Sequence, residues 1–180
     1  MKKSVFLFAT FLVSGILSAQ TRYTIKGDVP LTNTATKVVM SYPPDDKGGE
    51  YKSDTTHIKD GKFLFTGTIG RPQLAEINFI RPVNKDKNAN TRDEPNDNMK
   101  DVGLLYLDGE ISISFDKTGK VSYEGGGREQ AGWRDYERMT MAKTKAEPEK
   151  IAGIKFFEEL ITDFVKTHPD LYVSVDLMDL

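Results

Sequence analysis

Two histidines mark the places where acid–base chemistry would have to start. His57 stands close to Ser53, Asp54 and Asp60, and His168 lies between Asp163 and Asp170. A serine, a histidine and a carboxylate are the parts of a hydrolytic constellation. The Gly-x-Ser-x-Gly elbow that would expose a nucleophilic serine is missing. A histidine inside a hairpin ordinarily faces a cross-strand neighbour, so a structural role is expected for His57. His168 directly precedes Pro169 and reads as a helix C-terminal residue, where partial positive charge suits the helix dipole.

Carboxylate pairs occur at Asp45 and Asp46, at Asp93 and Glu94, and at Glu158 and Glu159. The second pair lacks the glycine and the bidentate glutamate of a calcium loop. The third fits the wet side of an amphipathic helix. Gly125, Gly126 and Gly127 precede Arg128 and would open a helix; backbone amides there would cradle a phosphate. The run lacks the lysine-serine or lysine-threonine end of a P-loop, so a flexible strand-to-helix turn is expected. Zero cysteines exclude a thiolate nucleophile, a redox pair, a disulfide framework and a thiolate zinc site. No metal, no cofactor and no catalytic residue is expected, and the chain as given reads as a non-enzyme.

Aromatic residues are what remain. Trp133 and Tyr136 would stack on a sugar or peptide, although their spacing with Met139 favours core packing. Tyr42 and Tyr51 flank the polar loop 43–50 and are candidate contacts for a ligand or partner; their burial would count against that role.

The elements that must position these residues begin after an address. Residues 1–20 hold Lys2 and Lys3, an apolar stretch over 5–17, then Ser18 and Ala19. This is the pattern of a cleaved secretory signal peptide, residues 1–19, and the stretch is shorter than the roughly 20 residues of a spanning helix. Export places the mature chain in the periplasm or outside the cell, soluble and without a membrane contact after cleavage. Loss of the two lysines makes the formal net charge two units more negative than the −2 of the whole chain. Such a balance offers no electrostatic reason for nucleic-acid binding.

Period-two alternation then predicts strands over 23–29, 36–42, 51–58, 62–69, 73–80, 102–107, 111–115 and 120–124. Asp60-Gly61 and Asp108-Gly109 predict two hairpins, and Gly119 a further turn. Residues 83–101 are rich in Asn, Asp and Lys and read as a mobile loop. The expected fold is mostly β: an antiparallel β-sandwich or barrel-like domain of about eight strands, residues 20–127, followed by a C-terminal helical extension, residues 128–180. One helix carries Trp133, Tyr136 and Met139; a second, with Pro148 near its start, carries Ile154, Phe157, Ile161 and Phe164 and stops before Pro169. Ser174 stands at an N-cap position, and the chain ends soon after, which reads as an interruption of something longer.

The run Thr24-Ile25-Lys26-Gly27-Asp28-Val29, the stretch from Ser53 through Asp60-Gly61-Lys62-Phe63 to Gly67, Leu105-Tyr106-Leu107-Asp108-Gly109-Glu110-Ile111 and His168-Pro169-Asp170-Leu171-Tyr172-Val173-Ser174 carry a resemblance. They resemble the β-rich domain of unknown function that precedes the thioredoxin-like domain in periplasmic thiol:disulfide oxidoreductase and peroxiredoxin-related proteins of Gram-negative bacteria. The resemblance implies an accessory role of docking, positioning or dimerisation, with a thioredoxin-like domain in cis or in trans as partner and a homodimer as a further expectation. Loop 83–101 is longer than that family implies, and the Cys-x-x-Cys pair is absent, so no redox residue carries over. A free-standing module binding a glycan or peptide is the alternative.

Overall fold

The computed structural model describes residues 20–30, 34–44, 49–82, 99–116, 120–151 and 153–178. Residues 1–19, expected to be a signal peptide, Asp45 and Asp46, Asp93 and Glu94, residues 83–98 and the turn at Gly119 lie outside them. Strands form where alternation was expected: β1 (Thr21–Asp28), β2 (Lys37–Tyr42), β3 (Lys52–His57), β4 (Lys62–Ile69), β5 (Leu74–Ile80), β6 (Met99–Tyr106), β7 (Gly109–Phe115) and β8 (Val121–Gly125). They make two four-stranded sheets, ordered β4-β1-β7-β8 and β3-β2-β5-β6. The arrangement is a sandwich, not a closed barrel, and β1 and β7 run parallel while every other pair is antiparallel. Residues 99–101, expected in the polar loop, instead pair with Asn78, Phe79 and Ile80 as the first part of β6.

The inward parity of each sheet supplies the core: Tyr23, Ile25, Phe63, Phe65, Ile111 and Ile113 face Val38, Met40, Ala75, Ile77, Phe79 and Leu105. Phe79 ties the layers together, with ring centroids 5.6 Å from Phe63 and 5.3 Å from Phe115, both edge to face, the orientation the aromatic quadrupole favours.

Both predicted hairpins turn out to be crossings between sheets. At Asp60-Gly61 the turn itself is as tight as expected: Lys59 and Lys62 exchange two 2.9 Å backbone hydrogen bonds, with φ of 51° and 72° at the two central residues, the left-handed pair of a type I′ turn. Beyond it β3 joins β2 and β4 joins β1. The apolar parity of β4 must face the apolar parity of β2 to be buried, and only a stitch between layers allows that. Likewise the Leu107 amide donates to the Gln73 carbonyl at 2.8 Å, prolonging the β5–β6 ladder, before Asp108 and Gly109 carry the chain to the other sheet.

Three helices follow: α1 (Arg128–Ala146), α2 (Ile154–Thr167) and α3 (Tyr172–Met178). Pro148 opens a separate 3₁₀ turn, Pro148–Lys150, so α2 starts later than expected, after Gly153. Ser174 lies inside α3 and donates its hydroxyl to the His168 carbonyl; it is not the N-cap. The helices build a third layer on the outer face of the β3-β2-β5-β6 sheet. Leu74 and Tyr106, whose parity points away from the sandwich core, pack there against Trp133, Phe164, Leu171, Val173 and Leu177. No helix among the described residues is long and apolar enough to cross a membrane.

Candidate functional site

The helical layer stops short of covering the whole outer face, and a cleft opens at its border. Ser41, Glu76 and Leu104 form one cross-strand row on β2, β5 and β6 and make the floor. Trp133 of α1 and Asp176 and Leu177 of α3 make the wall, with Pro43, Tyr51 and Arg71 at the rim. The cavity measures about 350 Å³, at the low end of the range for ligand pockets.

One carboxylate organises the wall. Asp176 accepts from Arg71 Nη1 at 3.2 Å through Oδ1, and from the Tyr106 hydroxyl at 2.8 Å through Oδ2. Burial pushes the Tyr106 phenol well up, and the Asp176 charge adds to the shift, so the hydroxyl remains a donor throughout the physiological range. The Arg71 guanidinium also sits 5.4 Å over the Tyr172 ring, a cation–π distance.

A series of carboxylates and amides fixes the helices that carry this wall. Asp108, at the crossing from β6 to β7, accepts the Glu129 amide at 2.8 Å through Oδ2 and so occupies the positive N-terminus of α1. Gly125 and Gly126 adopt φ of 79° and 82°, which lets the Gly126 and Gly127 amides turn back to the Glu110 and Asp108 carbonyls at 2.5 and 2.6 Å. The phosphate cradle considered for this glycine run is therefore filled by the chain's own oxygens. Glu129 repeats the device one helix on: its Oε2 accepts the Val173 amide at 3.3 Å at the start of α3. Burial raises the Glu129 carboxyl above its ordinary value, and the backbone amides of Val173 and Tyr172 partly oppose that. Gln130 Oε1 accepts the Tyr106 amide at 2.6 Å, and Arg128 donates to the Asp170 carbonyl at 3.0 Å.

Of the four aromatic residues singled out from sequence, the structure brings Tyr51 and Trp133 to this cleft. Tyr51 is 74% exposed. Trp133 is only 8% exposed, packed between Tyr106 at 5.9 Å and Tyr136 at 5.5 Å. Tyr136 continues the stack to Phe164 and lies away from the cleft. Tyr42 is 7% exposed and donates to Asp54 Oδ2 at 3.1 Å, which counts against a ligand contact there.

The hydrolytic constellation does not assemble on β3. Asp54 and His57 have opposite parity and project from opposite faces, while Ser53 and His57, four residues apart on one face, stand roughly 13 Å apart at strand rise. His168 closes α2, its amide donating to the Phe164 carbonyl at 2.9 Å and its ring stacked 4.4 Å from Phe164. Glu158 and Glu159 lie on the exposed side of α2, with Glu159 3.3 Å from Lys143. Among the described residues no group of three or more His, Asp or Glu side chains gathers to hold a metal ion.

Sequence reasoning missed Arg71, Tyr106, Leu104 and Asp176. Leu104 and Tyr106 did carry a signal, since both are apolar or aromatic at the parity that a two-layer sandwich would leave wet. Arg71 and Asp176 are 105 positions apart, and nothing local announces that they meet.

The class defined by this architecture is a two-sheet β-sandwich domain with a helical third layer and a cleft between the two. A family model matches residues 23–133, from β1 to the first turns of α1 with Trp133 as its last residue. The chain belongs to that family, DUF4369, a domain of unknown function. No curated protein matches the sequence.

Proposed function

We propose that this chain is an exported, non-catalytic accessory domain that docks and positions a thioredoxin-like domain, in cis or in trans. The observation that carries the reading is the outward face of α3. Tyr172, Val175 and Met178 recur at i, i+3 and i+6, all exposed, while Val173, Ser174 and Leu177 on the opposite face are buried. Phe157 and Ile154 of α2 add exposed apolar surface. An apolar helix stripe held rigid by Glu129, Asp176 and Arg71 has the character of an interaction surface. The thioredoxin-like occupant is supported by the resemblance of the β strands and of residues 168–174 to domains that lie beside such a partner.

The test is a photocrosslinking residue in place of Val175, in the native cell, with Leu64 on the far edge strand as the control position. The expected product is a covalent adduct, specific to Val175, with a polypeptide that carries a thioredoxin-like domain and its Cys-x-x-Cys pair. Adducts only with other copies of this chain, or only with proteins lacking that domain, contradict the reading.

The cleft favours a second reading, a ligand-binding module, because Tyr51 stands exposed at the rim of a cavity that Leu177 and Leu104 also line.

A further inference from the structure

The chemistry of the cleft narrows what it would hold. Its apolar lining is aliphatic and aromatic: Leu74, Leu104, Leu177 and Trp133, with Tyr51 at the rim. Its polar groups are of both kinds. Arg71 devotes one guanidinium nitrogen, Nη1, to Asp176 and is half-buried at the rim, with three N–H donors on its other two nitrogens. Glu76 lies across the floor, exposed, with the Ser41 hydroxyl beside it. A donor at the rim and an acceptor on the floor, set among these apolar side chains, complement one residue of an extended polypeptide: a carbonyl, an amide N–H and an apolar side chain.

A glycan fits this lining less well. Sugar rings stack on free aromatic faces, and Trp133 has its neighbours Tyr106 and Tyr136 at 5.9 and 5.5 Å, leaving Tyr51 as the open ring of the cleft. Its volume, about 350 Å³, suits one or two side chains and is too small to seat a helix about 10 Å across.

We infer that the cleft between α3 and the β2-β5-β6 face is a peptide-binding site that takes an extended segment with one large apolar anchor, leucine or phenylalanine. Arg71 donates to a carbonyl of that segment and Glu76 accepts an amide. The inference rests on the ligand-binding reading of the cleft and is independent of docking on the outward face of α3.

The experiment uses residues 20–180 labelled with ¹⁵N and ¹³C, titrated with a pentapeptide Gly-Ser-X-Ser-Gly blocked at both ends, X being Leu, Phe or Ser, and separately with maltotriose. The blocked ends remove terminal charges as a source of binding. Saturable shifts of the Trp133 indole and the Leu104 methyls are expected with X as Leu or Phe, and none with X as Ser. Tyr51→Ala changes an exposed side chain that the fold does not need, and its affinity for the Leu peptide should fall about tenfold, as for an anchor contact. Leu104→Asp should abolish the shifts. Three results overturn the inference. Equal response to the Ser peptide removes the apolar anchor. Response to maltotriose alone retains a ligand-binding cleft but gives it to glycans. Silence toward every probe removes both the peptide and the ligand-binding reading.

Discussion

Glu129 is asked to do two things that oppose each other. It sits buried at 5% exposure, which raises its carboxyl above the ordinary 4.5, and it must accept the amides that start α3. Because the folded value is the higher one, between the two values the folded chain holds a proton that the unfolded chain has lost. Stability from this group therefore falls as pH rises through that window, and the burden is full only above the folded value. Glu129→Gln keeps an acceptor oxygen and removes the buried charge. It should match or exceed the parent in melting temperature at pH 7 and lose that advantage as pH drops to 4.5. Glu129→Ala removes the cap together with the buried charge and should cost about 1 kcal/mol at pH 4.5, and less at pH 7, where the parent carries the burden of the charge. Thermal melts of the three proteins at both pH values check this. A Gln variant as unstable as the Ala variant at pH 7 would mean that the charge, and not the acceptor, holds α3. Little of this was legible beforehand: Glu129 follows a glycine run in the first turn of a helix, and its partner, the amide of Val173, is 44 positions away.

At the level of elements, the strands themselves were readable from their alternation, and their existence came through in β1, β4, β5 and β7. Pairing was not readable. Asp-Gly between two alternating runs has the same sequence whether the runs lie in one sheet or in two, and the choice is made by where the apolar parities can meet. The polar edge strand β3, exposed along nearly its whole length, gains nothing from lying beside β4. The same ambiguity hid the parallel partnership of β1 and β7, in which Thr24 stands opposite Glu110. That pairing is open to a clean test, since the chain has no cysteine of its own. With both Thr24→Cys and Glu110→Cys in place, mild oxidation should consume both thiols, because directly opposed strand residues lie within disulfide reach. Two titratable thiols persisting after oxidation, in a chain that still melts cooperatively, would contradict the parallel register and restore the hairpin.

For the molecule as a whole, the fold class was within reach of the sequence, and the third layer was not. Amphipathic helices announce that they have an apolar face but not what it covers; the answer lay in Leu74, Leu104 and Tyr106, apolar at positions where a two-layer sandwich meets water. That layer is what the docking proposal and the cleft both depend on, for α3 presents Val175 outward and Leu177 to the cleft only while it is fixed to the sheet. Trp133, the one tryptophan of the chain, stands at that seam, 5.9 Å from Tyr106 of β6. The most direct measurement is thermal unfolding of residues 20–180 followed at once by Trp133 fluorescence and by far-ultraviolet circular dichroism of the β signal. Coincident midpoints are predicted, because helices and sandwich share buried contacts and capped ends and should unfold as one unit. A fluorescence transition that finishes while the β signal is still intact would show the helices to be a loosely attached appendage, and would contradict the account.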